Sequence, residues 1–245
     1  MTLSHSAKLF FAVTSFASML AFNNTALAAP LQVSPISVDL TAPGQTSTVN
    51  LRNEGDRPVN VQVRVFSWTQ VNGEDKLTPS RDVVASPPAA TLQPGTTYTI
   101  RIARIAPPLK SGEETYRLLV DQLPEVNIRR PAASVDMLLR YSIPVFFTER
   151  AAGAELKWNI SRSGKTLIAE ATNVGNRHAK IAGLAVASKA GTVSFGEGLN
   201  GYVLPGSTRR WTVSAGAQRI QPGASVNVTA KGDDYAVNQT VVVTP

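Results

Sequence analysis

The sequence contains no cysteine and only two histidines. Without thiols there is neither a disulfide framework nor a cysteine nucleophile, and the fold must be held by burial and backbone pairing. Beyond the first 28 residues His178 is the one histidine, so no set of His and Cys ligands for zinc can be assembled. A Ser-His-Asp site would have to use His178 in the turn-rich Asn176-Arg177-His178 stretch, and no Gly-x-Ser-x-Gly elbow accompanies it. His178 reads as an ordinary solvated loop residue. The chain also lacks a phosphate-cradling Gly-x-x-x-x-Gly-Lys, and Gly196-Glu197-Gly198 has no third glycine and no following helix. Glu113-Glu114 and Asp233-Asp234 are adjacent carboxylates, which do not flank one bond from opposite sides as glycoside cleavage requires; they read as loop charge. Neither an enzyme nor a bound cofactor or metal is expected.

Long apolar runs are scarce as well. The one candidate, Leu9 through Leu20 behind Lys8, falls short of the roughly 20 residues that span a bilayer. Ala26-Leu27-Ala28 follows a short polar break, so residues 1–28 read as a secretory signal peptide cleaved near Ala28. Removing that segment deletes only Lys8 among the charged residues and leaves a net charge of +6 from the original +7. Such an excess suits solubility, anionic lipid or a carboxylate on a partner, and export argues against nucleic acid.

Sustained helical spacing is also lacking; period-two alternation takes its place. Val59, Val61, Val63 and Val65 share one face while Asn60, Gln62, Arg64 and Phe66 share the other, the mark of a half-buried strand. Similar segments occur at 48–52, 97–103, 116–123, 167–172, 181–188, 209–214, 226–230 and 239–243. Turn signals such as Asn72-Gly73, Gln93-Pro94-Gly95 and Leu204-Pro205-Gly206 separate them. The pattern predicts an all-β chain of two immunoglobulin-like β-sandwich domains, at about 100 residues each. Residues 29–147 and 148–245 form the two domains, joined where Thr148 to Ala154 loses alternation. One echo links the halves: Leu51-Arg52-Asn53-Glu54-Gly55 and Ala171-Thr172-Asn173-Val174-Gly175 both run from a strand into an Asn-x-Gly turn.

The most informative segment is Val135 to Phe147, in which Val135, Met137, Leu139, Tyr141, Ile143, Val145 and Phe147 line one face. Periodicity alone favours an ordinary core strand. Its length exceeds the usual five or six residues, however, which leaves its first half to overhang the sandwich as an apolar edge open to pairing.

Several motifs carry a resemblance. They are Leu31-Gln32-Val33-Ser34-Pro35, Leu51 to Val59, Phe66-Ser67-Trp68-Thr69-Gln70, Arg81 to Pro88, Tyr116 to Pro124, Ser142-Ile143-Pro144-Val145-Phe146 and Gly201 to Gly206. In this order and spacing, residues 31–245 resemble the periplasmic chaperones of the chaperone-usher pilus pathways, most closely their archaic branch. The resemblance implies two immunoglobulin-like domains in an L or boomerang arrangement, with pilus subunits and an outer-membrane usher as partners and no small-molecule substrate. It implies that Val135, Met137, Leu139 and Tyr141 are lent to an incomplete subunit by β-augmentation. In the best-studied members a basic pair, one on the first strand and one on the donor strand, grips the subunit's C-terminal carboxylate. Here Ser37 and Pro144 stand at those places, and Thr148 stands where an arginine of the interdomain salt bridge is expected. Arg117, Arg140 and Arg101 become the candidates for the carboxylate anchor, because an arginine fork suits a desolvated carboxylate. The short 124–131 loop places Arg129 and Arg130 to meet the subunit or usher. The alternative is an extracellular structural or adhesive protein of two such domains.

Overall fold

The computed structural model describes residues 31–124, 137–232 and 236–245. The signal-peptide segment, Arg129, Arg130, Val135 and the Asp233-Asp234 pair lie outside the described residues.

Ten strands build the first half: β1 (Leu31–Ser34), β2 (Val38–Thr41), β3 (Thr46–Asn53), β4 (Val59–Val71), β5 (Glu74–Pro79), β6 (Val83–Ser86), β7 (Ala89–Leu92), β8 (Thr97–Arg104), β9 (Glu113–Gln122) and β10 (Arg140–Thr148). They form one sheet in the order β1-β3-β8-β6 and another in the order β2-β10-β9-β4-β5, with β7 added to β4. Eight more follow: β11 (Leu156–Ser163), β12 (Thr166–Asn173), β13 (Ala179–Ser188), β14 (Gly191–Ser194), β15 (Leu199–Val203), β16 (Thr208–Val213), β17 (Ser225–Lys231) and β18 (Ala236–Val242). Their sheets run β11-β12-β16 and β14-β13-β17-β18, with β15 against β13. Each pair of sheets closes over its own core, one centred on Leu51, Ile100, Leu118 and Val145, the other on Ile160, Leu167, Ile181 and Val228. The chain is therefore two immunoglobulin-like sandwiches.

β4 shows how alternation becomes burial. Val59, Val61, Val63 and Val65 enter the first core, while Asn60, Gln62 and Arg64 face out. Farther along, Trp68 on the outward face is buried too, packed with Phe146 of β10 and with Tyr202 and Leu204 of the second sandwich. Asn72 and Gly73 then take φ of 55° and 83° and close the β4-β5 hairpin. Positive φ at both central residues is what a two-residue turn of type I′ demands, and Asn-Gly supplies it at least strain.

The Asn-x-Gly echo is a repeated structural device. Asn53 is fully buried; its amide donates to the carbonyls of Arg57 (2.7 Å) and Leu92 (2.9 Å) and its Oδ1 accepts from the Gly55 N–H (2.9 Å). Asn173 repeats this on Arg177 (2.7 Å), Val203 (3.0 Å) and Gly175 (3.0 Å), and accepts a fourth bond from Glu155 N–H (3.2 Å). Each asparagine thus ties a strand end to its own turn and to a neighbouring strand. At Gly175 an added Cβ would stand 2.4 Å from the Gly153 carbonyl oxygen, which leaves glycine as the residue that fits.

β10 decides where the first half is open. β9 accompanies it over its whole length, but β2 pairs with it, in parallel, only from Val145 to Thr148. The chain switches sheets between β1 and β2, so β1 belongs to the opposite sheet. Among the described residues, Arg140 to Pro144 therefore have no strand on their second side. The strand itself begins at Arg140; Met137, Leu138 and Leu139 precede it outside regular structure, although the Leu139 carbonyl still accepts from Gln122 N–H (2.9 Å).

Candidate functional site

The outward face of the β4-β9-β10 sheet can be followed rung by rung. Gln62, Asp121 and Arg140 face one another, then Arg64, Leu119 and Ser142, then Phe66, Arg117 and Pro144. Below them Thr115 and Glu113 face Phe146 and Thr148. The second sandwich caps the lowest rungs and the upper ones stay open.

Two contacts make that cap specific. Tyr202 meets Trp68 edge to face at 5.5 Å, and His178 lies flat on Phe146 with ring centroids 3.6 Å apart. The side-chain amide of Gln70 pairs like a strand, donating to the Tyr202 carbonyl (2.9 Å) and accepting from Leu204 N–H (3.0 Å). The Glu113 side chain is 0 % exposed and accepts from His178 N–H (2.9 Å) and the Thr148 hydroxyl (2.9 Å), with His178 Nδ1 at 2.8 Å. A buried carboxylate needs such donors to remain in the interior.

These contacts correct two readings of the sequence. His178 is 7 % exposed and is a buried interface residue, not a solvated loop residue. Glu113 and Glu114 are not loop charge: they open β9 and point to opposite faces. Glu114 receives both arms of Arg104 (2.8 and 2.7 Å) and the Tyr116 hydroxyl (2.9 Å). The Arg104 hydrogen bonds hold its carboxyl below the ordinary range against the opposing effect of burial. Only their partners, remote in sequence, reveal these roles.

Arg117 stands at the mouth of the cleft. Its guanidinium lies 3.6 Å from the centre of the Trp68 ring and 5.6 Å from that of Tyr202, and Nη1 reaches the Ser142 carbonyl at 3.4 Å. Burial pulls its pKa down, opposed by nearby Asp75 and Tyr202 and aided by Arg209. No carboxylate among the described residues pairs with it. In the antiparallel register it faces Pro144, so a cation stands one strand away from the place where the resemblance implies a basic residue and proline stands instead. Ser37, at the other such position, donates to Asp39 (2.7 Å).

The remaining candidates are not brought to this point. Arg140 lies two rungs up and its Nε bonds Asp121, whose other oxygen takes Arg64 at 2.6 Å. Burial pushes the Asp121 carboxyl up, but the two arginines outweigh it and keep it below its ordinary value. Arg101 is exposed on β8 in the opposite sheet, between Thr48 and Ser86. Of the residues expected in the donor strand, Tyr141 packs against the core and its hydroxyl bonds the Leu31 carbonyl. Leu139 is half-buried and Met137 is 85 % exposed beside the open edge. Leu123 and Leu138 are exposed nearby, lining a shallow groove with Gln62, Arg64 and Arg140.

The arrangement offers main-chain hydrogen bonds, apolar side chains and, two rungs below, a cation with no carboxylate partner among the described residues. Residues 30–150 match the family model for the pili and flagellar-assembly chaperone, PapD N-terminal domain. A search of curated protein sequences finds no match. Among solved structures, the fold is similar to that in the CsuC-CsuE chaperone-tip adhesion subunit pre-assembly complex from archaic chaperone-usher Csu pili of Acinetobacter baumannii. That match has 22 % identity and a TM-score of 0.65 over 88 % of this chain and 99 % of that one. The Pseudomonas aeruginosa CupB2 chaperone is similar at 18 % identity and TM-score 0.55, over 86 % and 98 % of the two chains. The Salmonella enterica SafA pilin in complex with the SafB chaperone gives 16 % identity and TM-score 0.59, over 86 % and 96 %.

Proposed function

By its N-terminal domain the chain belongs to the pili and flagellar-assembly chaperones, and from that premise we propose how it holds its cargo. Residues 1–28 direct export to the periplasm. Domains 29–147 and 148–245 then receive a pilus subunit whose sandwich lacks a strand, and carry it to an outer-membrane usher. The strand lent is the first half of β10 with the residues before it: Val135, Met137, Leu139 and Tyr141. What carries this reading is the edge from Arg140 to Pro144, which has no second neighbour among the described residues, with Met137 exposed beside it. Exposed edges with apolar side chains are the ones that accept another chain's strand. An adhesive two-domain protein finds no support in the family match, and a chaperone family is not an enzyme class.

The subunit's C-terminal carboxylate goes to Arg117. A guanidinium already desolvated against Trp68 and without an acidic partner among the described residues gains most from one. Arg140 is engaged by Asp121, and Arg101 lies on the wrong sheet for this task.

The donor face is tested by Met137→Asp and Leu139→Asp, each co-expressed with the subunit and scored by recovery of the soluble one-to-one complex. Burying a side chain of this size contributes roughly 1.5–3 kcal/mol, so each variant should weaken capture by at least about tenfold. Undiminished recovery from both would remove the donor-strand assignment.

A further inference from the structure

A strand that adds to an open edge must find its register, and apolar alternation cannot supply it alone. A slip of two residues returns every side chain to the same face. The rungs above Arg117 contain a feature that distinguishes such slips. Across β4, β9 and β10 the outward face carries Arg64, Asp121 and Arg140 in alternating sign, and the series ends in a cation at the open edge. Arg140 is directly opposite Asp121, its side chain is 63 % exposed, and two arginines share that one carboxylate. Among the described residues, the sheet is left with surplus positive charge where the next strand will lie.

We propose that Arg140 selects subunits by charge: the strand docking on β10 presents an aspartate or glutamate opposite Arg140, extending the Arg64-Asp121-Arg140 series by one strand and fixing its register. This rests on the donor-edge and Arg117 assignments above. With the subunit's terminal carboxylate at the Arg117-Pro144 rung, the docked strand runs parallel to β10. The acidic residue then lies two rungs back, about four residues before the subunit's last, because every second residue of a strand shares a face. Opposite charges facing each other across strands stabilise a sheet and like charges oppose it.

The test uses fluorescein-labelled nonapeptides of alternating valine and threonine with a free C-terminus, carrying Asp, Asn or Lys four residues before the last, titrated into the full chain. The wild type is expected to prefer the Asp peptide over the Lys peptide by about tenfold, since attraction is exchanged for repulsion. Arg140→Glu should invert that preference, and raised salt should shrink it. The triple inversion Arg64→Asp, Asp121→Arg, Arg140→Asp keeps the internal pairs, so it should invert the preference at an unchanged melting temperature. If Arg140→Glu leaves the preference unaltered while C-terminal amidation or Leu139→Asp abolishes binding, the charge selection is wrong and the edge and anchor assignments stand. If wild type fails to bind any peptide, or amidation and Leu139→Asp have no effect, those assignments fail and the selection falls with them.

Discussion

Replacing Arg117 by methionine is expected to abolish capture of pilus subunits while leaving the free chain at least as stable as the parent. The guanidinium is stacked on Trp68 at 3.6 Å, has no carboxylate partner among the described residues, and is penalised by burial. Methionine keeps an apolar stem on the indole and removes the desolvated charge, so folding loses little. The complex would lose the proposed hydrogen-bonded charge pair with the subunit's carboxylate, a deletion that costs roughly 2–5 kcal/mol, or at least about thirtyfold in affinity. Arg117→Lys keeps the charge without the planar fork and should recover only part of the loss. Complex recovery and the melting temperature of the free chain, measured on the same preparations, separate this outcome from simple misfolding. A surface arginine would change neither.

Asn173→Ala carries the largest expected effect on stability. Its side chain makes four hydrogen bonds at full burial, to Arg177, Val203, Gly175 and Glu155, and alanine leaves those backbone groups without their partner. Unsatisfied buried polar groups cost about 1–3 kcal/mol each, and relaxation of the exposed turn recovers some, so a loss of about 4 kcal/mol is expected. Denaturant melts should show the second sandwich unfolding first. Asn53→Ala should do the same to the first sandwich by a smaller margin, because Asn53 makes three such bonds.

The sequence made the two sandwiches legible because their cores are written in alternation. Val59 to Val65 and the turns at Asn72-Gly73 and Leu204-Pro205-Gly206 each state a local rule that the fold obeys. It left short or fully exposed strands unread: β5 has no buried residue, and β1, β2, β6 and β7 have four residues each, too few for a period to register. The Asn-x-Gly echo showed as a likeness, but its hydrogen bonds could not be read before the turns had partners. The residues proposed for the donor strand were legible as one apolar face. The interface was not, because Trp68 and Phe146 lie on faces that alternation assigns to solvent. They are buried because Tyr202, Leu204 and His178 of the second sandwich, remote in sequence, cover them. For the same reason His178 looked solvated, and nothing local marked Glu113 as its partner. Arg117 and Arg140 were both named from sequence, yet only the register across β9 and β10 gives them different surroundings.

The most direct test of the donor edge is amide hydrogen exchange of the chain alone and bound to its subunit. Among the described residues, the backbone groups of Arg140, Ser142 and Pro144 face the side of β10 that has no second strand, and a docked strand would use them. Amides on that side between Met137 and Ser142, above all those of Arg140 and Ser142, should slow by orders of magnitude in the complex, while those of β18 at the edge of the second sandwich stay unchanged. Protection confined to another edge, with 137–142 exchanging as fast bound as free, would contradict the account.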